Sequence, residues 1–197
     1  MKQEIDMYRE KENISDSLKT LKETVYPDAS NDEVKMVYSY CKALGLDPMT
    51  KPVHLVPMPK RVNGQFVYQT CVMPSINLYR TIAHRSGNYA GKSEPEFGPE
   101  IKTQGIKHPE WCKVTVYRML NGEKCAYTAK EYWNENVATS YDKKTSSKKI
   151  NQMWSMRPKG QIAKCAEAQA LRQAFGLEML GLPTAEEMVG KYLIYFF

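Results

Sequence analysis

The sequence predicts an α+β fold in which small antiparallel β-hairpins pack with helices. Two Asn-Gly pairs, Asn63-Gly64 and Asn121-Gly122, each lie between β-prone runs, and this dipeptide suits the φ > 0 positions of a type I′ hairpin turn. Capped, apolar-periodic segments flank both hairpins. The order is helix, hairpin, helix, hairpin, basic loop, helix, helix, and it lacks the βα alternation that builds a doubly wound parallel sheet.

Residues 1–29 are mixed in charge and weakly periodic, which fits an N-terminal arm or a docking helix. A helix opens at Ser30, because Ser30 and Glu33 form an S-x-x-E capping box, and Val34, Val37, Tyr38, Cys41 and Leu44 follow at helical spacing. Gly45 stops it and Pro48 follows. Val53–Met58 and Phe66–Met73 are the strands of the first hairpin. Ser75 then caps a helix that buries Ile76, Tyr79, Ile82 and Ala83 before Gly87. Three prolines between Lys92 and Pro109 argue for an irregular connection. Trp111–Arg118 alternates as a strand and returns through Asn121-Gly122 into Lys124–Ala129. Tyr141–Ile150 is polar, basic and Ser-rich, an expected exposed loop. A helix starts near Pro158 and runs to about Phe175, and Thr184 with Glu187 opens a last helix leading into the apolar tail 189–197.

A chain of 197 residues with 42% hydrophobic content can bury one sizeable core, expected over 30–188. The net charge of +6 is unevenly spread. Ile101–Gly176 holds 14 Lys and Arg against 6 Asp and Glu, a local +8, so the rest of the chain carries −2. Such asymmetry concentrates polyanions, although a charge run also serves as a plain solvated face. The five cysteines form no C-x-x-C pair and leave an odd one out, so neither a disulfide framework nor a zinc site is expected, and a reducing cytoplasm fits. The three histidines are scattered, and no metal or cofactor is expected. The start carries acidic residues and the terminal YLIYFF is too short to cross a bilayer, so no signal peptide or membrane span is indicated.

The segment from Lys159 to Phe175 carries most of the functional information. Ile162, Ala163, Ala166, Ala170 and Ala174 fall on one face, and Lys164, Ala168 and Arg172 climb the opposite one at i, i+4 and i+8, with the two charges about 12 Å apart. Upstream lie Lys143, Lys144, Lys148, Lys149, Arg157 and Lys159, so eight basic residues face only Asp142 and Glu167 between Ser140 and Arg172. Single-stranded nucleic acid offers phosphates to such cations and unpaired base faces to aromatic rings, which makes Trp154 a candidate stacker; a ring packed under the helix start is the competing reading. Two enzyme patterns compete. GNYAGKS at Gly87–Ser93 ends like a Walker A loop, but Ser86 stands where the first glycine is required. Glu100-Ile101-Lys102 is the E-x-K of metal-dependent nucleases, with Asp28 as an upstream acid, but Pro99 disfavours the strand it needs.

LGLDPMTKPVHLVP at Leu44–Pro57, INLYRTIAHRSG at Ile76–Gly87 and MWSMRPKGQIAKCAEAQALRQAFG at Met153–Gly176 together resemble the RecT/Redβ family of phage single-strand annealing proteins. The resemblance covers roughly Val34–Met188. It implies an ATP-independent, non-catalytic recombinase of the bacterial cytoplasm. Such a protein oligomerises as rings or helical filaments, binds single strands left by a phage exonuclease, pairs complementary strands and holds the annealed duplex intermediate. Carried onto this chain, Lys51, Arg118, Lys159 and Arg172 match basic positions associated with DNA contact, with Arg80 a further carry-over. Lys149 and Lys164 join them on local charge. Family members commonly continue into a C-terminal segment for partner proteins, and the partners the resemblance implies are a phage exonuclease or a host single-strand binding protein. The alternatives are a metal-dependent nuclease and a coating protein that binds single strands without annealing them.

Overall fold

The computed structural model describes residues 14–63, 65–142, 147–179 and 184–188. Helices and small antiparallel sheets form the α+β fold that the hairpin pattern predicts. Where one core was expected, the chain clusters into two compact units, Met1–Val72 and Met73–Phe197, divided within a strand.

In the first unit, residues 14–24 are helical (α1) and bury Leu21. The Tyr26 hydroxyl then donates to the Val53 carbonyl at 2.7 Å. Helix α2 (Asn31–Ala43) begins with the complete Ser30/Glu33 capping box and buries Val34, Val37 and Cys41, one stripe at i, i+3 and i+7. Leu44, expected in that stripe, is exposed. The chain reverses there through Gly45 at φ +60°, and Leu46 donates its N–H back to Cys41 at 2.8 Å, so Leu46 takes the buried place. A short 3-10 turn, Pro48–Thr50, is capped by Asp47. Strands β1 (Val53–Val62) and β2 (Gln65–Pro74) form the first hairpin. Asn63 sits at φ +50°, as a type I′ turn requires. Ser30→Ala is expected to lower stability by about 1 kcal/mol. Thermal melting checks this, and an unchanged midpoint would mean that the box contributes nothing.

The second unit is built around β7 (Trp111–Leu120). It pairs along its whole length with β8 (Glu123–Tyr132), from Trp111↔Tyr132 to Leu120↔Glu123, through a turn with Asn121 and Gly122 at positive φ. On its other edge lie β3 (Tyr89–Lys92) and β4 (Glu96–Phe97). Alternation divides the pair: Cys112, Val114, Val116 and Ala129 are buried, and the odd positions of β7 with the even positions of β8 face away. Against the buried face lies α6 (Pro158–Ala174), with Pro158 at its first turn. Ala166, Ala168, Ala170 and Ala174 let it approach closely. Helix α3 (Ile76–Arg85), whose N-terminal Leu78 N–H is accepted by the Ser75 hydroxyl, packs Ile76, Tyr79 and Ala83 into the same core.

Several expectations change here. Ala168 was placed on a solvent face with Lys164 and Arg172, yet it is fully buried, because α6 has the β7–β8 sheet on one side and α3 on another. The connection Lys92–Pro109 is not irregular: it contains β4 and a hairpin of β5 (Glu100–Thr103) with β6 (Ile106–Pro109). Their turn has Gln104 at φ +48° and Gly105 at φ +82°, the same signs as the Asn121-Gly122 turn, with an uncommon residue in the first place. The segment Tyr141–Ile150, expected as a loop, instead supplies strand at both ends: β9 (Thr139–Asp142) pairs with β10 (Ser147–Ile150) in a second short hairpin. Two short helices, α4 (Trp133–Asn136) and α5 (Gln152–Met156), precede α6, and α7 (Ala185–Met188) starts at the predicted Thr184. Lys143, Lys144, residues 1–13 of the N-terminal arm and the apolar tail lie outside the described residues.

Candidate nucleic-acid interface

From β10 to the first turn of α6 the backbone is anchored from below while its cations face out. Lys148 and Lys149 are exposed, whereas Ile150 beside them is buried. The Gln104 side chain grips this strand twice, donating to the Lys148 carbonyl at 3.3 Å and accepting the Ile150 N–H at 3.1 Å. Asn151 then caps α5 by accepting the Trp154 N–H at 3.0 Å. Trp154 drops into the core, edge-on to Trp133 at 5.0 Å, and Trp133 stacks on His108 at 4.0 Å. Arg157 and Lys159 stand exposed at the start of α6, Lys159 with its ammonium 5.7 Å from the Phe97 ring. That first turn has no acidic residue and no side-chain cap, so two cations sit where the helix dipole favours an anion. Lys164 lies one to two turns on, partly buried. No Asp or Glu occurs between Asp142 and Glu167.

The other candidate residues are placed differently. Trp154, expected to stack on bases, is only 2% exposed, so it offers no ring face and instead holds the basic segment to the core. Arg80, Arg118 and Arg172, expected at a DNA surface, are each committed to partners within the fold. Arg80 grips Glu167 with two bonds of 2.7 Å, joining α3 to α6, and Lys92 adds a third at 2.6 Å. Arg118 donates to the Ala174 carbonyl and to Glu178 and lies over the Phe175 ring, which caps the negative end of α6. Arg172 holds Glu187 of α7 in a fork and also takes Gln169. Glu187 in turn accepts the Thr184 N–H and hydroxyl. These pairs arise because α6 is covered on several sides, and a charge there requires a partner. Lys51 belongs to the first unit. It is exposed, adopts the left-handed φ of +52° after the Pro48–Thr50 turn, and lies 5.6 Å from the Tyr26 ring beside a cleft that Glu33, His54 and Thr70 also line.

Burial alone would raise the carboxyls of Glu167 and Glu187, but bonds and charge from Arg80 and Lys92, and from Arg172 and Thr184, outweigh it and hold both below the ordinary carboxylate value of 4.5. Groups lowered in this way stabilise the fold above their unfolded pKa, and that contribution is lost as pH falls through the folded values. Glu131, raised by burial, acts in the opposite direction. The melting midpoint is therefore expected to fall below about pH 4.5, the value at which both buried pairs begin to lose an advantage over the unfolded chain. Melts across pH check this, and a midpoint that rises on acidification would contradict it.

Neither enzyme pattern acquires a site. Glu100-Ile101-Lys102 does lie on a strand, against the expectation from Pro99, but all of β5 is exposed and Glu100 pairs with Lys107 at 3.2 Å. Among the described residues no three His, Cys, Asp or Glu side chains gather as metal ligands. Gly91 and Lys92 of the GKS run end β3, the next element is β4 rather than a helix, and Lys92 is held by Glu167. Burial pushes the Cys41 thiol up to about 11 and the Cys112 thiol up to about 12, the reverse of an activated nucleophile.

One surface escaped the sequence reading. The outward side of β7–β8 carries Trp111, Lys113, Tyr117, Lys124, Lys130 and Tyr132, with no acidic residue of either strand among them. Its signal was the alternation itself, W-K-T-Y at odd positions of one strand and K-A-T-K-Y at even positions of the next.

Small antiparallel sheets backed by α6, with an acid-free run of surface cations mounted on a buried aromatic cluster, make this an α+β protein with a basic surface segment. The RecT family model matches residues 11–193, and the chain belongs to the RecT family. It therefore stands among the phage-type single-strand annealing proteins of DNA recombination, a family that binds single-stranded DNA and oligomerises. No curated protein and no solved structure matches the chain significantly. Among the described residues no helix is long and apolar enough to cross a membrane.

Proposed function

We propose that this protein coats single-stranded DNA as an oligomer in the bacterial cytoplasm and pairs complementary strands without ATP and without a catalytic residue. The observation that carries this reading is the acid-free segment from β10 to α6, with Lys148, Lys149, Arg157 and Lys159 exposed above Ile150, Trp154 and Ile162. Cations on a rigid base contact phosphates, which positions a strand without reading its sequence. Each contact releases counterions, so binding is steeply salt-dependent. With its backbone held and its bases free, the bound strand lets Watson–Crick pairing supply all the specificity. Copies side by side, in a ring or helical filament, join weak sites into strong binding by multivalency.

Lys149 and Lys159 are the proposed phosphate contacts and Lys164 extends the set; Lys51 is a separate proposed contact on the first unit. Arg80, Arg118, Arg172 and Trp154 act by holding α6 and its neighbours in place. A phage exonuclease that exposes single strands, and a host single-strand binding protein, are the proposed partners. The experiment is the annealing rate of two complementary oligonucleotides with no ATP and strand integrity checked on a gel. Acceleration with intact strands is expected; slowing would indicate a coating protein, and shortened strands would indicate a nuclease.

A further inference from the structure

We infer that the outward face of β7–β8 is a second nucleic-acid surface, on which Trp111, Tyr132 and Tyr117 stack unpaired bases while Lys113, Lys124 and Lys130 take the adjoining phosphates. This rests on the reading of the chain as a binder of single-stranded DNA and adds a base-contacting surface to the phosphate-contacting segment.

Three features support it. Trp111 and Tyr132 are a directly opposed cross-strand pair, and the Lys130 ammonium lies over both rings, 4.2 Å from the Trp111 centroid and 5.2 Å from that of Tyr132. Tyr117, about 20 Å further along the strand, carries the Lys124 ammonium at 4.1 Å. These rings therefore carry lysine ammonium groups on the outward side of the sheet. A base can replace such a cation over the ring, and the displaced ammonium then meets that nucleotide's phosphate. Second, Lys113 and Lys130 are directly opposed, an arrangement that repels and that a structural sheet face avoids. Glu96 of β4 reaches Lys113 at 2.7 Å and is the acid beside this face, so the local charge stays positive and complements a polyanion. Third, the Trp111 indole is fixed in position. It rests on Gly98, where an added Cβ would lie 2.4 Å from the indole nitrogen, and the Gly98 N–H donates to the Trp111 carbonyl at 2.9 Å. Tyr132 keeps 39% of its surface in solvent.

Of the three tryptophans, Trp133 and Trp154 are 2% exposed, so DNA-dependent quenching of tryptophan emission reports Trp111. The test titrates the full chain with oligothymidylate and, in parallel, with an abasic oligonucleotide of the same length, following both anisotropy and emission. Quenching is expected with oligothymidylate and not with the abasic strand. Trp111→Leu and Tyr132→Leu should each weaken oligothymidylate binding roughly tenfold and leave abasic binding unchanged. Lys113→Gln with Lys130→Gln keeps every ring in the chain and should lower the salt slope by about 1.4, which keeps the test valid if a ring variant folds poorly.

Binding of oligothymidylate without quenching, and with unaltered affinity in these variants, would overturn the inference and leave the annealing function standing. Failure of the unaltered protein to bind either oligonucleotide would remove the function and the inference together. A Trp111→Leu protein that assembles less but binds normally per subunit would assign the face to contact between copies, which also overturns it.

Discussion

Lys148→Ala, Lys149→Ala and Lys159→Ala combined are expected to weaken single-stranded DNA binding on the order of 100-fold at 0.15 M salt, at about 1 kcal/mol or slightly less for each charged contact. The three residues are exposed, and they lie on a strand and a helix start anchored by Ile150 and Trp154, so truncating them takes away charge without opening the core. Stability should change by less than about 0.5 kcal/mol per site. The slope of log affinity against log salt should flatten by about 2, since each single-strand phosphate contact contributes about 0.7. The loss should be the same for every sequence, because phosphates carry no sequence information. Titrations by fluorescence anisotropy at several salt concentrations check all three points. An unchanged salt slope would move the phosphate contacts elsewhere, and losses confined to particular sequences would contradict the backbone-binding account.

Glu167→Ala is expected to produce the largest loss of stability, about 3 kcal/mol. Its carboxylate is 4% exposed and holds three bonds from Arg80 and Lys92, which tie α3 and β3 to α6. Removal leaves two cations facing one another across a buried gap. They keep 40% and 34% of their side-chain surface in solvent and can rehydrate, which places the effect at the lower end for broken buried pairs. The melting midpoint should fall by roughly 6–12 °C, with Glu167→Gln falling less because an amide still accepts from Arg80. A loss below about 1 kcal/mol would show that solvent screens the network. DNA binding measured well below the melting temperature should change little, which separates Glu167 from Lys149 and Lys159.

The elements that could be read from sequence were those set by local chemistry. Ser30 with Glu33, Ser75, Asn63, the Asn121-Gly122 turn and Pro158 each satisfy or punctuate the backbone within a few residues, and each stands where its type implies. Elements that depend on distant partners were not readable. Gln104 accepts a left-handed φ and binds the β10 backbone, so the Gln104-Gly105 turn and the β9–β10 hairpin support each other across more than 40 residues. The charge run itself was visible, but which of its members face solvent was not. Arg80, Arg118 and Arg172 find acids or carbonyls on other elements, and Trp154 finds Trp133 and His108, because α6 is enclosed rather than lying on the surface. Helical periodicity predicts the face of a helix; it does not predict how many faces the rest of the chain will cover.

The most direct test of the basic segment as the DNA interface is amide hydrogen exchange of the full chain with and without a saturating oligothymidylate. The account predicts added protection over Ser147–Ile150 and the first turn of α6 at Pro158. Protection that omits both segments, in protein that is demonstrably bound, would contradict it.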